Sequence, residues 1–354
     1  MKLIATLIGA IALLIVVLLV IPGPIEPVKW TPAPRPALTG EFAPNDILNR
    51  INPLLKGDLQ GPEDITRAAN GDLVTGLADG SVVRFDQDGN LTVMGNTGGR
   101  PLGLKFLPNG DLIIADAHKG LLKMNAAGEV SVLVDEYLNK KMRFVDDLDI
   151  AEDGTIWFSD VSTRFSVEDA MLDLLEGSAT GRLFSFNPTN NVLKLHIEDL
   201  FFANGVALGP DETFVLVNET GRGTIKRLWL KGEKKGAIDT FHSGLPGHPD
   251  NLSFNGTDTF WVALPSPRTP LFDKLATWPK LRKLLAYLPE SFMPANVHAS
   301  MIVGLGTDGT VRYNLQSQQG KFPYITSVNQ YGDALYIGSL INDAAGVLPL
   351  SELP

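Results

Sequence analysis

A short pattern returns six times along this 354-residue chain, and it restricts the fold more than any other feature. Each copy runs from a polar or small residue into an apolar strand, through a Gly, Asn or Asp turn, and into a second apolar strand. The turns fall at Asn70-Gly71, Asn109-Gly110, Asp153-Gly154, Pro210-Asp211, Gly256-Thr257-Asp258 and Gly332-Asp333. Strand-type runs such as Leu112-Ile113-Ile114, Ile156-Trp157-Phe158 and Phe260-Trp261-Val262 follow them. Short strands with turns roughly every 8–12 residues and a period of about 40–50 predict an all-β chain, a six-bladed β-propeller. A sandwich or a plain barrel would not repeat at that period.

Two stretches break the period. Ser166 to Glu176 spaces Val167, Ala170, Met171, Leu174 and Leu175 as a helix does. Lys280 to Leu288 places Leu281, Leu284, Leu285 and Leu288 at i, i+3, i+4 and i+7 beside Lys280, Arg282 and Lys283. These two helical insertions are expected either to pack on the rim or to form a lid over the tunnel mouth, and the basic face of the second also suits a membrane surface.

At the N-terminus, Leu3 to Ile21 is apolar apart from Thr6 and Gly9. About 20 such residues cross a bilayer as a helix. The run exits into Ile21-Pro22-Gly23-Pro24, which lacks a small-x-small cleavage pattern. Residues 1–21 are therefore expected to be an uncleaved signal anchor, a transmembrane helix with its N-terminus in the cytoplasm. A cleaved signal peptide is the other reading, and both place the domain outside the cytoplasm, in a periplasmic or extracellular space. Residues 22–45 read as a Pro-rich linker holding the domain off the membrane, and residues 46–354 as the propeller. Asp46 to Leu59 suits a short entry helix that Pro53 interrupts.

Aligning the repeats on Ile65, Leu104, Leu148, Val206, Leu252 and Val328 sets Glu63, Leu102, Asp146, Asn204, Asp250 and either Thr326 or Ser327 at one phase. In a propeller, equal phase means equal height on the central axis, so Glu63, Asp146, Asn204 and Asp250 converge on one point. Because side chains alternate along a strand, Asp64, Asp147 and Asn251 should turn aside. Three carboxylates and an amide, in a chain without cysteine, suit Ca²⁺ better than Zn²⁺. Asp116, Asp160 and Glu219 end the second strands and are expected to cap turns or bridge blades. Arg100, His248 and His298 are candidates for the substrate pocket at the tunnel mouth. The net charge of −10 argues against nucleic acid as a partner.

The segments Gly61-Pro62-Glu63, Gly99-Arg100-Pro101-Leu102-Gly103, Asp146-Asp147-Leu148, Ala203-Asn204-Gly205-Val206 and Pro246-Gly247-His248-Pro249-Asp250-Asn251 resemble the strictosidine synthase-like proteins. Those belong to the wider superfamily of calcium-dependent hydrolases that includes gluconolactonases, diisopropylfluorophosphatases and paraoxonases. The resemblance implies a catalytic Ca²⁺ held by Glu63, Asp146, Asn204 and Asp250, with Asn251 as a further ligand. It also implies a second, structural Ca²⁺ at Asp64 and Asp147. Asp146 stands where the family usually has Asn. No acid lies between Phe322 and Gly332, which argues against strictosidine synthase-type condensation. Leu102 replaces the first histidine of the paraoxonase pair, and the paraoxonase disulfide has no cysteines to form it.

The expectation is a membrane-anchored, Ca²⁺-dependent hydrolase of carboxylic esters or lactones, with Asp250 or Glu63 as catalytic carboxylate. The alternative is a non-enzymatic propeller in which Ca²⁺ serves stability and the face binds a partner.

Overall fold

The computed structural model describes residues 2–86, 88–289 and 299–354. Six four-stranded antiparallel sheets form the six blades. Their innermost strands are Ile65–Arg67, Pro101–Phe106, Val145–Ile150, Ala203–Leu208, Leu252–Phe254 and Ile325–Tyr331. Five blades run in sequence order from the axis outward. The sixth takes its outermost strand, Asn52–Leu54, from the start of the domain, where it pairs antiparallel with Ala345–Pro349. The ring is thereby closed by hydrogen bonds between its two ends, and Asn52–Leu54 covers the edge that Ala345–Pro349 would otherwise expose. The expected entry helix is corrected accordingly. Only Ile47–Arg50 turns as a 3-10 helix, and the segment around Pro53 is an edge strand, a position where a missing N–H costs nothing.

Apolar clusters lie between successive blades. Phe214, Phe241 and Phe260 fill the gap between the fourth and fifth blades with Val262 and Leu305. Ile113, Phe158 and Phe184 fill that between the second and third.

Both helical insertions join the second and third strands of their blades. The third blade carries α2 (Ala170–Glu176), and the fifth carries α3 (Pro270–Leu275) and α4 (Pro279–Leu285). In an antiparallel blade that connection lies at the end where the innermost strand begins. All three helices therefore sit over the same end of the tunnel as Glu63 and Asp146. The second insertion holds two short helices rather than one, because Pro279 starts a new helix at its favoured first position.

α1 (Lys2–Val20) is long and apolar enough to cross a membrane, and none of its residues is buried in protein. Only Leu18 and Leu19 are partly shielded, and the helix touches α4.

The Pro-rich segment that follows is not a spacer. Ile25 is fully buried against Phe165 and Leu175. Trp30 is buried edge-on to Phe201 at 5.0 Å, with the Arg282 guanidinium 4.2 Å from its ring centroid. Arg282, itself wholly buried, donates to the carbonyls of Leu175 (2.5 Å), Glu176 (2.9 Å) and Val28 (2.6 Å). The segment is a strap pinned across α2 and α4. Proline stiffness, the basis for expecting a spacer, is equally compatible with a docked extended chain, and the two apolar anchors decide for docking.

Arg282→Met is expected to leave three carbonyls without their charged donor and to destabilise the strap by about 3 kcal/mol. Limited trypsin digestion should then cut after Lys29 within minutes, while the parent chain resists there.

Candidate metal centre

The site is assembled where the inner strands begin, and a repeated irregularity shapes it. Pairing with the second strand skips between Pro101 and Leu104, Val145 and Leu148, Ala203 and Val206, and Ile325 and Ser327. Each skip is a β-bulge, which re-aims side chains. In the first and fifth blades the pairing starts only at Ile65 and Leu252, so Glu63-Asp64 and Asp250-Asn251 precede the ladder. Strict alternation therefore does not govern these positions, although it leads to nearly the same pointing directions.

Carboxylate oxygens of Glu63, Asp146 and Asp250 all lie within 4.8 Å of one another. Asn204 adjoins them, its Nδ2 donating to Asp250 Oδ1 at 2.5 Å. Asn251 does not turn aside as alternation requires. Its Nδ2 reaches both oxygens of Glu63, at 2.9 and 3.1 Å. Thr326 is the member of its pair that meets the ring, donating from Oγ1 to the Glu63 carbonyl at 2.8 Å.

The backbones around the ring approach closely. A Cβ on Gly338 would collide with the Glu63 carbonyl oxygen, and one on Gly205 would collide with the Leu252 nitrogen. Gly338→Ala is expected to push Glu63 out of the ring, costing about 3 kcal/mol of stability together with most of the cation affinity. Paired thermal melts with and without Ca²⁺ would register both losses.

Asp64 and Asp147 staple neighbouring blades instead of joining the ring. Asp64 accepts from Leu104 N at 3.1 Å and from Asn329 Nδ2 at 2.8 Å. Asp147 accepts from Leu148 N and Val206 N, both at 2.8 Å. Below the ring they line a cavity of about 10 Å³ with Ser327 and Lys105, room for about one water. The Lys105 ammonium pairs with Asp149 at 3.1 Å.

The ring acids are held protonated by burial and by one another. Burial, then the neighbouring acids Asp146 and Asp250, hold the Glu63 carboxyl well above its usual range. Burial, then Asp250 and Asp147, do the same to Asp146. Burial pushes Asp250 up to about 7 against the opposing Asn204 hydrogen bond. A fixed positive charge stands beside them. Arg100 is buried, with Nη2 donating to the Gly61 carbonyl at 2.9 Å and its charge offsetting those of Glu63 and Asp146.

Several polar atoms in the ring lack partners among the described residues: Asp146 Oδ1, Asn204 Oδ1, Asn251 Oδ1 and Arg100 Nη1 are all buried and unpaired. Buried polar groups are rarely left so. An oxygen-only donor set with three repelling carboxylates and unpaired inward oxygens fits a hard divalent cation such as Ca²⁺.

The remaining candidates are not ring members among the described residues. His248 is edge-on to Phe272 of α3 at 4.8 Å, and its Nδ1 faces the Thr220 carbonyl at 3.2 Å, which assigns the proton to Nδ1. Burial depresses its pKa to about 4. His298 lies outside the described residues. Asp116 Oδ1 accepts from the backbone of Arg100, His118 and Lys119 at 2.9–3.1 Å. Asp160 pairs with Arg182, and Glu219 accepts from Phe201 N at 3.1 Å, so all three acids have structural partners.

Two neighbours of the ring were not singled out in the sequence. Asn218, on the second strand of the fourth blade, donates to the Asp250 carbonyl at 2.5 Å. Tyr324 holds a left-handed backbone, φ 56°, and its phenol is held above its ordinary pKa by burial and then by Asp250. It precedes the strand Ile325–Tyr331, so no strand periodicity marks it.

Residues 40–85 match the family model for the strictosidine synthase-like N-terminal region, and residues 146–233 that for strictosidine synthase. The adipocyte plasma membrane-associated protein of Danio rerio is 34% identical, over 96% of this chain and 88% of its own length. The human protein of that name is 33% identical, over 91% of this chain and 83% of its own. Strictosidine synthase-like protein 7 of Arabidopsis thaliana is 34% identical, over 84% of this chain and 81% of its own. Among solved structures, a gluconolactonase from Xanthomonas campestris superposes with a TM-score of 0.62 at 18% identity, covering 95% of this chain and 99% of that one. The calcium-binding protein regucalcin from Agrobacterium tumefaciens superposes with a TM-score of 0.56 at 14% identity, covering 91% and 95%. At such identities these two likenesses concern the fold. With relatives more than 30% identical along nearly its whole length, the chain belongs to the strictosidine synthase-like family of six-bladed propellers.

Proposed function

We propose that this chain is a membrane-anchored, Ca²⁺-dependent hydrolase of carboxylic esters or lactones, working outside the cytoplasm. The observation that carries the reading is the cluster of Glu63, Asp146 and Asp250 with the unpaired, buried oxygens of Asp146 and Asn204 in it. Glu63, Asp146, Asn204 and Asp250 would hold the ion, with the Asn251 amide positioned against Glu63. Bound there, Ca²⁺ would supply Lewis acidity, polarising an ester carbonyl and stabilising the oxyanion that develops on it.

The chain's own groups do the rest. Asp250, oriented by the Asn204 amide, accepts the proton of the attacking water. Glu63 is fixed on both oxygens and serves as ligand and counter-charge. The unpaired Nη1 of Arg100 offers a further donor to developing negative charge. Three carboxylates against one divalent cation and one guanidinium leave the filled site close to neutral. Leu102, Phe144 and Phe202 form one apolar cluster with Phe272 of α3, surroundings that suit an aryl or aliphatic acyl group. α1 supplies the anchor.

The test is turnover of a panel of aryl esters and aliphatic lactones by the detergent-purified full chain, in Ca²⁺, in EDTA, and in Ca²⁺ again. Turnover lost and then restored is expected. No turnover in any condition, with a melting temperature that Ca²⁺ still raises, would replace the hydrolase by the non-enzymatic binding propeller.

A further inference from the structure

The second insertion is amphipathic the wrong way round for a helix pair in water. Arg282 is fully buried and Leu275 and Ala276 are nearly so. Leu271, Trp278, Leu281 and Leu288 point outward and are 38–53% exposed. Ile21 and Val28 of the strap, which runs alongside, are 42% and 50% exposed. Lys274 and Lys280 flank this surface and are also exposed. Other large exposed apolar residues occur, such as Val93, Val132 and Ile238, but they lie on outermost strands of three different blades, and scattered single residues need no explanation.

The chain's connectivity adds an independent constraint. α1 ends at Val20, and Ile25 is already buried under α2. Five residues span at most roughly 18 Å when fully extended. If α1 crosses a bilayer, the lid end of the propeller cannot stand further than that from the end of the helix. The lid end is also the acid-ring end, since one apolar cluster joins Trp30, Phe272 and Ala276 to Leu102, which lies at the ring's own height.

We infer that the face formed by α3, α4 and the strap seats in the headgroup and upper acyl region of the bilayer, so that the tunnel end bearing Glu63, Asp146 and Asp250 opens at the membrane surface. This rests on the anchoring part of the proposed function. A Trp and three Leu directed outward, with lysines beside them, match an interfacial helix surface on anionic lipid. The substrate class that follows is an ester or lactone dissolved in the membrane, which reaches the ring without crossing water.

The chain has no cysteine, so single thiols can be placed at will. Leu281→Cys marks the lid face, and Thr257→Cys marks an exposed turn at the opposite end of the fifth blade. Each full-length variant is labelled with an environment-sensitive fluorophore and reconstituted in phosphatidylcholine–phosphatidylglycerol vesicles. Quenching by nitroxide-labelled lipid is then compared with quenching by iodide. The label at 281 is expected to be quenched several-fold more by the lipid probe, and the label at 257 several-fold more by iodide. Equal iodide access at both positions, in a chain that stays with the vesicles through an alkaline carbonate wash, would overturn the docked lid and leave the anchor standing. Loss of the chain in that wash would overturn both. Leu281→Glu supplies a second arm. It is expected to slow turnover of a long-chain ester held in vesicles while leaving a water-soluble aryl ester unaffected, and equal rates on both substrates would count against the inference.

Discussion

Asp250→Asn is expected to lower hydrolysis by about a thousandfold and to move stability in opposite directions with and without Ca²⁺. In the metal-free chain, burial pushes the Asp250 carboxyl up to about 7, so above neutral pH its charge is held in an unfavourable place. A carboxamide of the same shape carries no charge and still meets Asn204. The EDTA-treated variant should therefore melt a few degrees above the parent at about pH 8. In saturating Ca²⁺ the order reverses, because the variant has lost an anionic ligand. A merely structural Asp250 would lower the melting temperature in both conditions, and a surface Asp250 would change neither.

The second large effect concerns pH. Glu63, Asp146 and Asp147 have carboxyl groups held above their ordinary range, chiefly by burial, and Asp250 titrates near 7. Within α2, burial raises Asp173 to about 7, and beside Arg182 it raises Asp160 to about 6. All six bind a proton more tightly folded than unfolded. Their contribution to stability is fully present below the ordinary carboxyl pKa of about 4 and is lost as pH rises through the folded values. The stripped chain should thus melt higher at about pH 5.5 than at about pH 8. Ca²⁺ competes with protons for the ring acids, so its stabilising effect grows over the same interval. At a hundred times its Kd the ion adds about 2.7 kcal/mol. Melting curves over this range, with EDTA and with Ca²⁺, should converge toward acid and diverge toward alkali. Parallel curves would show that the ring acids do not bind the ion.

The fold was legible because a propeller writes its architecture as repetition. Each blade must bury two faces with the same few strands, so the turn-and-strand pattern recurs wherever a blade does. The ring was legible for a related reason. Glu63, Asp146, Asn204 and Asp250 share a phase, and the fold converts phase into height. The physical route differs from the expected one, since bulges at Asp146 and Asn204, rather than plain strand alternation, aim the side chains. Their signal is the doublet of small or acidic residues in Asp146-Asp147 and Asn204-Gly205.

What stayed hidden depended on long-range partners. Asn52–Leu54 closes the last blade across almost the whole sequence, and nothing local distinguishes it from a loop. The strap reads as a spacer until Arg282, distant in sequence, supplies a donor to Val28. Arg282 itself reads as part of a basic helix face, and only the buried carbonyls it meets show that it points inward. Asn218 reaches the ring from a second strand, outside the repeat phase that picked out the others.

The most direct measurement is calorimetric titration of the EDTA-stripped full chain with Ca²⁺ at about pH 7.5, in two buffers that differ in ionisation enthalpy. The account predicts saturable binding in the tunnel, abolished by Asp250→Asn, with a buffer-dependent heat that reports protons released from the ring carboxylates. Absence of saturable binding in the parent chain, or binding that survives Asp250→Asn without proton release, would contradict it.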